Sequence, residues 1–513
     1  MLITIRRLCV FALALACPLD LVAAKPNIVL ILTDDHRYDA MGFLGHPFLG
    51  TPHLDRLASE GAYFENAYVT TSLCSPSRAS ILTGLYAHNH RVVDNYHPVD
   101  ESLTFFPERL QEAGYQTAFI GKWHMGDSEV KQRGFDHWVS FRGQGVYVPD
   151  PAMLKAKGRF VPQATNSGFN VNGTKVEQEG YITDELTDYA EEWLAGKDAE
   201  KQFFLYLSHK GVHADFLPPD RHAFKYDKVE IPLPPSPITR PELFHDPPMW
   251  VQNQTNSRHG IEFAYYTGLD MAKYYRRYCE ALLAVDDSVG RLLATLEKSG
   301  ELENTLILYM GDNGFLFGEH GLIDKRCAYE ESVRIPMLLR YPEAIARGTK
   351  VDRIVANIDV APTLLEAAGV GEQAGMDGRS FWKLAQGEAD ADWRKHLLYE
   401  YYWERNYPQT PTMHALIGER FKYIRYHGIW DLDELYDLRS DPHERRNLFN
   451  DPAQAELSEQ MNRQLFALLK ESGGSDLPLM PDRGTKFLHR KRGGSGEAPF
   501  PAEFYRQAEP GGQ

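Results

Sequence analysis

Four short apolar runs, each ending in side chains able to do chemistry, constrain this chain more than any other feature. Asn27 to Thr33, Thr117 to Ile120, Phe203 to Ser208 and Thr305 to Met310 are continuous in apolar character and do not alternate. A strand with one wet face alternates, so a continuous run of β-branched and aliphatic residues reads as a strand buried on both faces. Segments with helical spacing, such as Tyr275 to Lys298, lie between the runs. Strands alternating with helices predict an α/β fold in which helices sandwich a mostly parallel sheet.

Ligands of such sheets collect outside the carboxyl ends of the strands. Asp34 and Asp35 follow the first run, Lys122 and His124 the second, His209 and His213 the third, and Asp312 and Asn313 the fourth. Four separate segments can therefore converge on one edge. From about Asp392 the texture changes, and Phe421 to Tyr426 and Glu434 to Asp437 read as strands of a smaller antiparallel sheet. The expected division is a leader over 1–24, a catalytic domain over 25–390, a C-terminal subdomain over 391–472 and a loose, Gly-, Pro- and charge-rich tail over 473–513.

Hydrophobic and charged contents of 43% and 25% suit a globular body, and a formal charge of −16 argues against nucleic acid as a partner. Arg6 and Arg7 precede an apolar run from Leu8 to Ala16 and then Val22, Ala23 and Ala24, the pattern of an export signal. That run is too short to span a bilayer and no later stretch of about 20 apolar residues follows, so no stable membrane insertion is expected. The expected location is periplasmic or extracellular; a lipoprotein anchor at Cys17 is the other reading of the leader. Cleavage near Ala24 would leave Cys74, Cys279 and Cys327, enough for one disulfide at most.

The sharpest motif is the stretch from Leu73 to Gly84, where Cys74, Ser75, Pro76, Ser77 and Arg78 lead into a helix expected from about Ser77, ending at Thr83 and Gly84. Here the chain resembles the formylglycine-dependent (type I) sulfatases of the alkaline-phosphatase-like superfamily, whose hallmark is Cys-x-Pro-Ser-Arg followed by Thr-Gly. The resemblance runs from about Pro26 to Leu448 and is closest to exported carbohydrate sulfatases such as N-acetylglucosamine-6-sulfatases. It implies that a maturation enzyme oxidises Cys74 to formylglycine (3-oxoalanine), whose hydrate is the nucleophile. One hydroxyl of the hydrate attacks sulfur, and the second later expels sulfate and regenerates the aldehyde.

A cation beside that hydroxyl would acidify it. Asp34, Asp35, Asp312 and Asn313 offer hard oxygen ligands suited to Ca²⁺ or Mg²⁺, and no Cys/His cluster suggests zinc. By resemblance these four, with the modified Cys74, form the metal site. The resemblance also assigns Lys122 to the sulfate oxygens, His124 to the hydrate, Arg78 to orientation and charge, and Lys325 to sulfate or the leaving oxygen. His213 would give the leaving alcohol its proton, with His209 as alternate because Asp215 departs from the family's usual proline. The expected substrate is a sulfated saccharide, with N-acetylglucosamine-6-sulfate as the first guess and contacts from Tyr402 to Arg405 and Thr412 to His414. A phosphonate monoester hydrolase or phosphodiesterase of the same superfamily is the nearer alternative, and a non-catalytic sulfated-glycan binder the farther one.

Overall fold

The computed structural model describes residues 25–476 and 478, apart from 151–167, 233, 237–244, 255–256, 258, 262–269, 372–374 and 429–430. The expected leader and nearly all of the expected tail lie outside these residues. The strands are β1 (Asn27–Thr33), β2 (Ala62–Tyr68), β3 (Gln116–Gly121), β4 (His137–Ser140), β5 (Phe169–Val171), β6 (Thr174–Val176), β7 (Phe203–Ser208) and β8 (Thr305–Gly311). They continue as β9 (Leu316–Phe317), β10 (Ile323–Asp324), β11 (Met337–Arg340), β12 (Thr349–Ala356), β13 (His396–Tyr401), β14 (Thr412–Gly418), β15 (Phe421–His427) and β16 (Glu434–Asp437).

Among the described residues ten strands form the main sheet, in the order β12-β2-β11-β8-β1-β7-β3-β4-β5-β6. The four apolar runs are its centre: β8, β1, β7 and β3 lie side by side and parallel. Their unbroken apolar character has the expected cause. Ile28, Leu30 and Leu32 face a core built with the helices Cys74–Thr83, Phe106–Glu112 and Val360–Ala367. Val29 and Ile31 face the opposite core, with the helices Pro52–Glu60, Ile182–Gly196 and Met271–Lys298. Strand β11 runs antiparallel between β2 and β8.

The smaller sheet is antiparallel, in the order β13-β14-β15-β16. One face packs Leu398, Leu416, Tyr423 and Leu435 on the helix Ala455–Glu471. Tyr399, Met413, Ile424 and Tyr436 on the other face meet Tyr68, Tyr329 and Ile358 of the main body. This inner interface also carries charge. Lys422 on β15 is fully buried, lies 2.6 Å from Glu330 Oε1 and 2.8 Å from Glu444 Oε1, and donates to the Ala328 carbonyl at 2.9 Å. Cys279 and Cys327 are free buried thiols, so the one disulfide that the sequence allowed is not formed. Among the described residues no helix is long and apolar enough to cross a membrane.

Removing one partner of a buried charge cluster leaves the others uncompensated. Lys422→Met should therefore destabilise the fold by about 3 to 5 kcal/mol, seen as a lower thermal unfolding midpoint. An unchanged midpoint would show that the cluster does not hold the small sheet to the body.

Candidate active site

Register brings the acidic residues together. β1 and β8 pair Thr33 with Gly311, so the chain leaves both strands at the same level. There Asp312 N–H donates to the Thr33 carbonyl at 3.0 Å and Asp35 N–H to Asp312 Oδ1 at 3.1 Å. On the other side of β1, His209 N–H donates to Leu32 O at 2.8 Å and Val212 N–H to Asp34 O at 2.8 Å, which carries the chain from β7 to His213. Lys122 follows Gly121, whose φ is 124° and where an added Cβ would lie 1.8 Å from the Ser208 carbonyl oxygen. Only glycine lets β3 approach β7 this closely.

The helix bearing the motif begins at Cys74 and not at Ser77. Leu73 is extended at φ −162°, and its carbonyl already accepts from Ser77 N–H at 2.9 Å. Cys74 is thus the first helical residue, with its side chain turned to the strand ends. Its Sγ lies 3.6 Å from Asp34 Oδ1 and receives a 3.3 Å contact from Lys325 Nζ. Lys325 comes from the residue after β10, at the base of the β9–β10 hairpin.

Three ion pairs organise the floor. Lys122 pairs with Asp34, and Lys325 with Asp35. Arg78 reaches Asp312 Oδ2 through Nε at 2.9 Å and Nη2 at 2.8 Å, while its Nη1 donates to the Lys122 carbonyl and Ser208 Oγ, both at 2.6 Å. All six side chains are buried, as are Cys74 and Asn313. Burial opposes ionisation of Asp34, but Lys122 and Arg78 together hold its carboxyl well below the ordinary range. Burial pushes Asp35 up to about 7 despite Lys325, and with the help of Asp34 it also raises Asp312. The Cys74 thiol is pushed up to about 12 by burial and by Asp34.

Three carboxylates this close resist ionising together unless more positive charge joins them. Asp34, Asp35 and Asp312 each present an oxygen within 4.8 Å of the others. Asp35 Oδ2 and Asn313 Oδ1 are buried without a hydrogen-bond partner. Orphaned, buried, hard oxygens are the donor set a divalent Ca²⁺ or Mg²⁺ takes, so these residues fit such an ion.

The histidines divide. His213 joins Asp34 and Cys74 in a cluster of ligand atoms within 4.8 Å, and its Nε2 is 3.9 Å from Asp35 Oδ2. Its Nδ1 lies 2.8 Å from the Ala214 carbonyl, an acceptor only, so Nδ1 carries a proton. His209 points elsewhere, its Nε2 lying 3.0 Å from Ser288 Oγ on the helix Met271–Lys298. Of the two, His213 is the one that lies among the carboxylates and Cys74. His124, at φ 59°, has Nδ1 3.3 Å from Ser75 Oγ, one residue past Cys74. Burial, Lys122 and Arg78 hold its imidazole well below its ordinary value.

Of the expected sugar contacts, Tyr402, Met413 and His414 are buried: Tyr402 packs with Ala87 and Val93 of the main body and its hydroxyl donates to Glu400 at 2.8 Å, while His414 Nδ1 lies 2.9 Å from His427. Glu404 does reach the site's edge. It accepts from Arg326 Nε at 2.8 Å, the residue next to Lys325, and that guanidinium lies 3.9 Å above the Tyr407 ring. Four further residues at the site escaped the sequence reading. Asn95 accepts from Ser75 N–H at 3.0 Å, Tyr147 donates to the His213 carbonyl at 2.7 Å, Ser208 holds Arg78, and Lys210 lies over Tyr147. Only Ser208 and Lys210 had a signal, as neighbours of a strand end already singled out.

Comparison with known proteins agrees with this geometry. Residues 26–370 match the sulfatase family, and residues 318–471 match the C-terminal family of N-sulphoglucosamine sulphohydrolase. The chain is 34% identical over 508 residues to an N-acetylglucosamine-6-O-sulfatase of Bacteroides thetaiotaomicron, covering 87% of this chain and 86% of that one. Its fold matches, at TM-score 0.76 and 32% identity, a protein solved in complex with its substrate D-glucosamine-2-N,6-O-disulfate, covering 88% of this chain and 99% of the other. A phosphonate monoester hydrolase of Agrobacterium radiobacter shares the fold at TM-score 0.69 and 22% identity, over 87% of this chain and 96% of that one. With its strand-end carboxylates, its helix-initial Cys74 and a family match over most of its length, the chain belongs to the sulfatase family and is a sulfuric ester hydrolase with an alkaline-phosphatase-like fold.

Proposed function

We propose that this sulfatase releases sulfate from a sulfated carbohydrate, an N-acetylglucosamine-6-sulfate or a close relative, through a formylglycine nucleophile made from Cys74. The observation that carries the reading is the position of Cys74: buried, first in its helix, and in contact with both Asp34 and Lys325. The substrate class rests on what the relatives above are described as cleaving. The likeness to the phosphonate monoester hydrolase, at 22% identity, speaks to the fold alone. In this reading residues 25–390 form the catalytic unit and 391–472 a lobe that closes over it. The chain is exported, and a maturation enzyme supplies the oxidation of Cys74.

Conversion of Cys74 to formylglycine would supply an aldehyde, and addition of water to it a geminal diol, with one hydroxyl for attack on sulfur and one for expelling sulfate. A divalent ion held by Asp34, Asp35, Asp312 and Asn313 supplies Lewis acidity toward that diol and the ester oxygens. The chain's own residues do the rest. Arg78 locks Asp312 with a planar fork and ties it to β3 and β7 through the Lys122 carbonyl and Ser208, a geometry lysine cannot copy. Lys122 and Lys325, each paired with a carboxylate, present the remaining ammonium hydrogens to sulfate oxygens. Lys325 also flanks the attacking atom, a role supported by its 3.3 Å contact with Sγ, where the oxygen of the modified residue would stand. His213 is kept neutral by burial in the free enzyme; the anionic ester raises its proton affinity and readies Nε2 to protonate the leaving alcohol.

Mass spectrometry of the peptide containing Cys74, from protein made in a host able to mature such sites, should find the aldehyde or its hydrate. An unmodified thiol there would sink the mechanism. His213→Ala should cost roughly 10²- to 10⁴-fold on a sugar 6-sulfate, yet far less on 4-nitrophenyl sulfate, whose leaving group needs no proton. Equal losses on the two would remove His213 from the acid role. Chelation should abolish turnover and lower the thermal midpoint, and added Ca²⁺ or Mg²⁺ should restore both. Asp35→Asn and Asp312→Asn should weaken that restoration; a midpoint indifferent to the ion in every protein would refute the metal site.

A further inference from the structure

The cations of the site floor are matched one to one: Lys122 with Asp34, Lys325 with Asp35, and Arg78 with Asp312. Lys210 is not. It is 2% exposed, its Nζ rests 4.3 Å from the centre of the Tyr147 ring, and among the described residues it has no ion pair or side-chain hydrogen bond. Lys122, Asp215, Asp34 and Asp35 are the charged groups whose fields reach it. A lysine so deeply buried is ordinarily paired. An aromatic face attracts a cation but does not neutralise it.

Lys210 also belongs to the frame of the proposed acid. Its carbonyl accepts from His213 N–H at 2.9 Å, and Tyr147, beneath its ammonium, donates to the His213 carbonyl at 2.7 Å. Whatever Lys210 binds therefore lies on the leaving-group side of the site. The ammonium itself gives that ligand its sign: Asp215, Asp34 and Asp35 act on Lys210 from a distance, but among the described residues no carboxylate pairs with it directly.

We infer that Lys210 determines specificity by binding a second anionic group of the sugar, a sulfate or a carboxylate, distinct from the sulfate that is transferred. This rests on the sugar-sulfate reading above. The test compares kcat/KM of the mature wild type and K210Q on three 6-sulfated substrates. These are N-acetylglucosamine-6-sulfate, D-glucosamine-2-N,6-O-disulfate and a uronate-linked N-acetylglucosamine-6-sulfate disaccharide.

K210Q should lose about 10- to 100-fold on at least one of the two doubly charged substrates, mostly in KM, as expected for a lost charged hydrogen bond. On the singly charged sugar the loss should be smaller by about tenfold or more. A loss confined to the disulfate assigns a sulfate, and one confined to the disaccharide a carboxylate. K210R should keep most of the preference, and K210Q should unfold at the wild-type temperature. Equal losses on all three substrates, or none on any, would overturn the inference while leaving the sulfatase reading intact. Failure of the mature wild type to turn over any of the three would remove the substrate reading itself, and this inference with it.

Discussion

Mutual repulsion among Asp34, Asp35 and Asp312, buried within 4.8 Å of one another, is the constraint on which the rest of the site depends. Such a group is tolerated only where positive charge arrives from several directions with fixed geometry. Each direction is a different part of the fold: Arg78 from a helix on one face of the sheet, Lys122 from the end of β3, and Lys325 from the β9–β10 hairpin. The sheet makes this possible because parallel strands in register end together. A one-residue slip between β1 and β8 would separate Asp35 from Asp312 and turn the strand cores inside out. Packing of the apolar runs and placement of the carboxylates are thus one structural requirement.

Much of this was legible in the amino-acid sequence because the signals were local and strong. Continuous apolar runs survive only where both faces are covered, and the residues after them sit where such sheets bind ligands. Asp34, Asp35, Lys122, His124, His213, Asp312 and Asn313 follow those runs, Cys74 and Arg78 lie in the Leu73 to Gly84 motif, and Lys325 follows β10; the fold gathers them at one edge. Other features were not legible, for physical reasons. β2 is half-buried and mixed in character, with Glu65 and Asn66 in its middle, so it lacks the sign of a central strand. The helix at Cys74 was misjudged because its start is set by the extended Leu73, not by a capping side chain. Lys210 looks like any lysine in a loop until the ring of Tyr147, 63 residues earlier, is seen beneath it.

The small lobe teaches a different lesson. Its aromatic and charged texture suggests a surface that touches sugar, but most of it faces inward. Tyr329, Tyr426 and Tyr436 all direct their hydroxyls at Glu434, and Lys422 holds Glu330 and Glu444. Tyr402 and His414 serve the interior around Glu400 in the same way. Buried polar groups of this kind need fixed partners, so they hold the lobe at one angle to the main sheet. At the border that angle is felt by Arg326, clasped by Glu404 beside Lys325.

Cys74 has no solvent-exposed surface. Its sulfur lies beneath Lys325 of the hairpin and against Asp34 of the central strand, and the helix that follows it is buried along its whole length. An enzyme that alters a side chain must take the surrounding peptide into its own cleft, and the folded chain offers no such peptide. The oxidation of Cys74 proposed above would therefore belong to the period before β1, β8 and the helix have met. On that proposal a chain that folds with its thiol intact closes over it, and a race between folding and oxidation would decide the fate of each molecule.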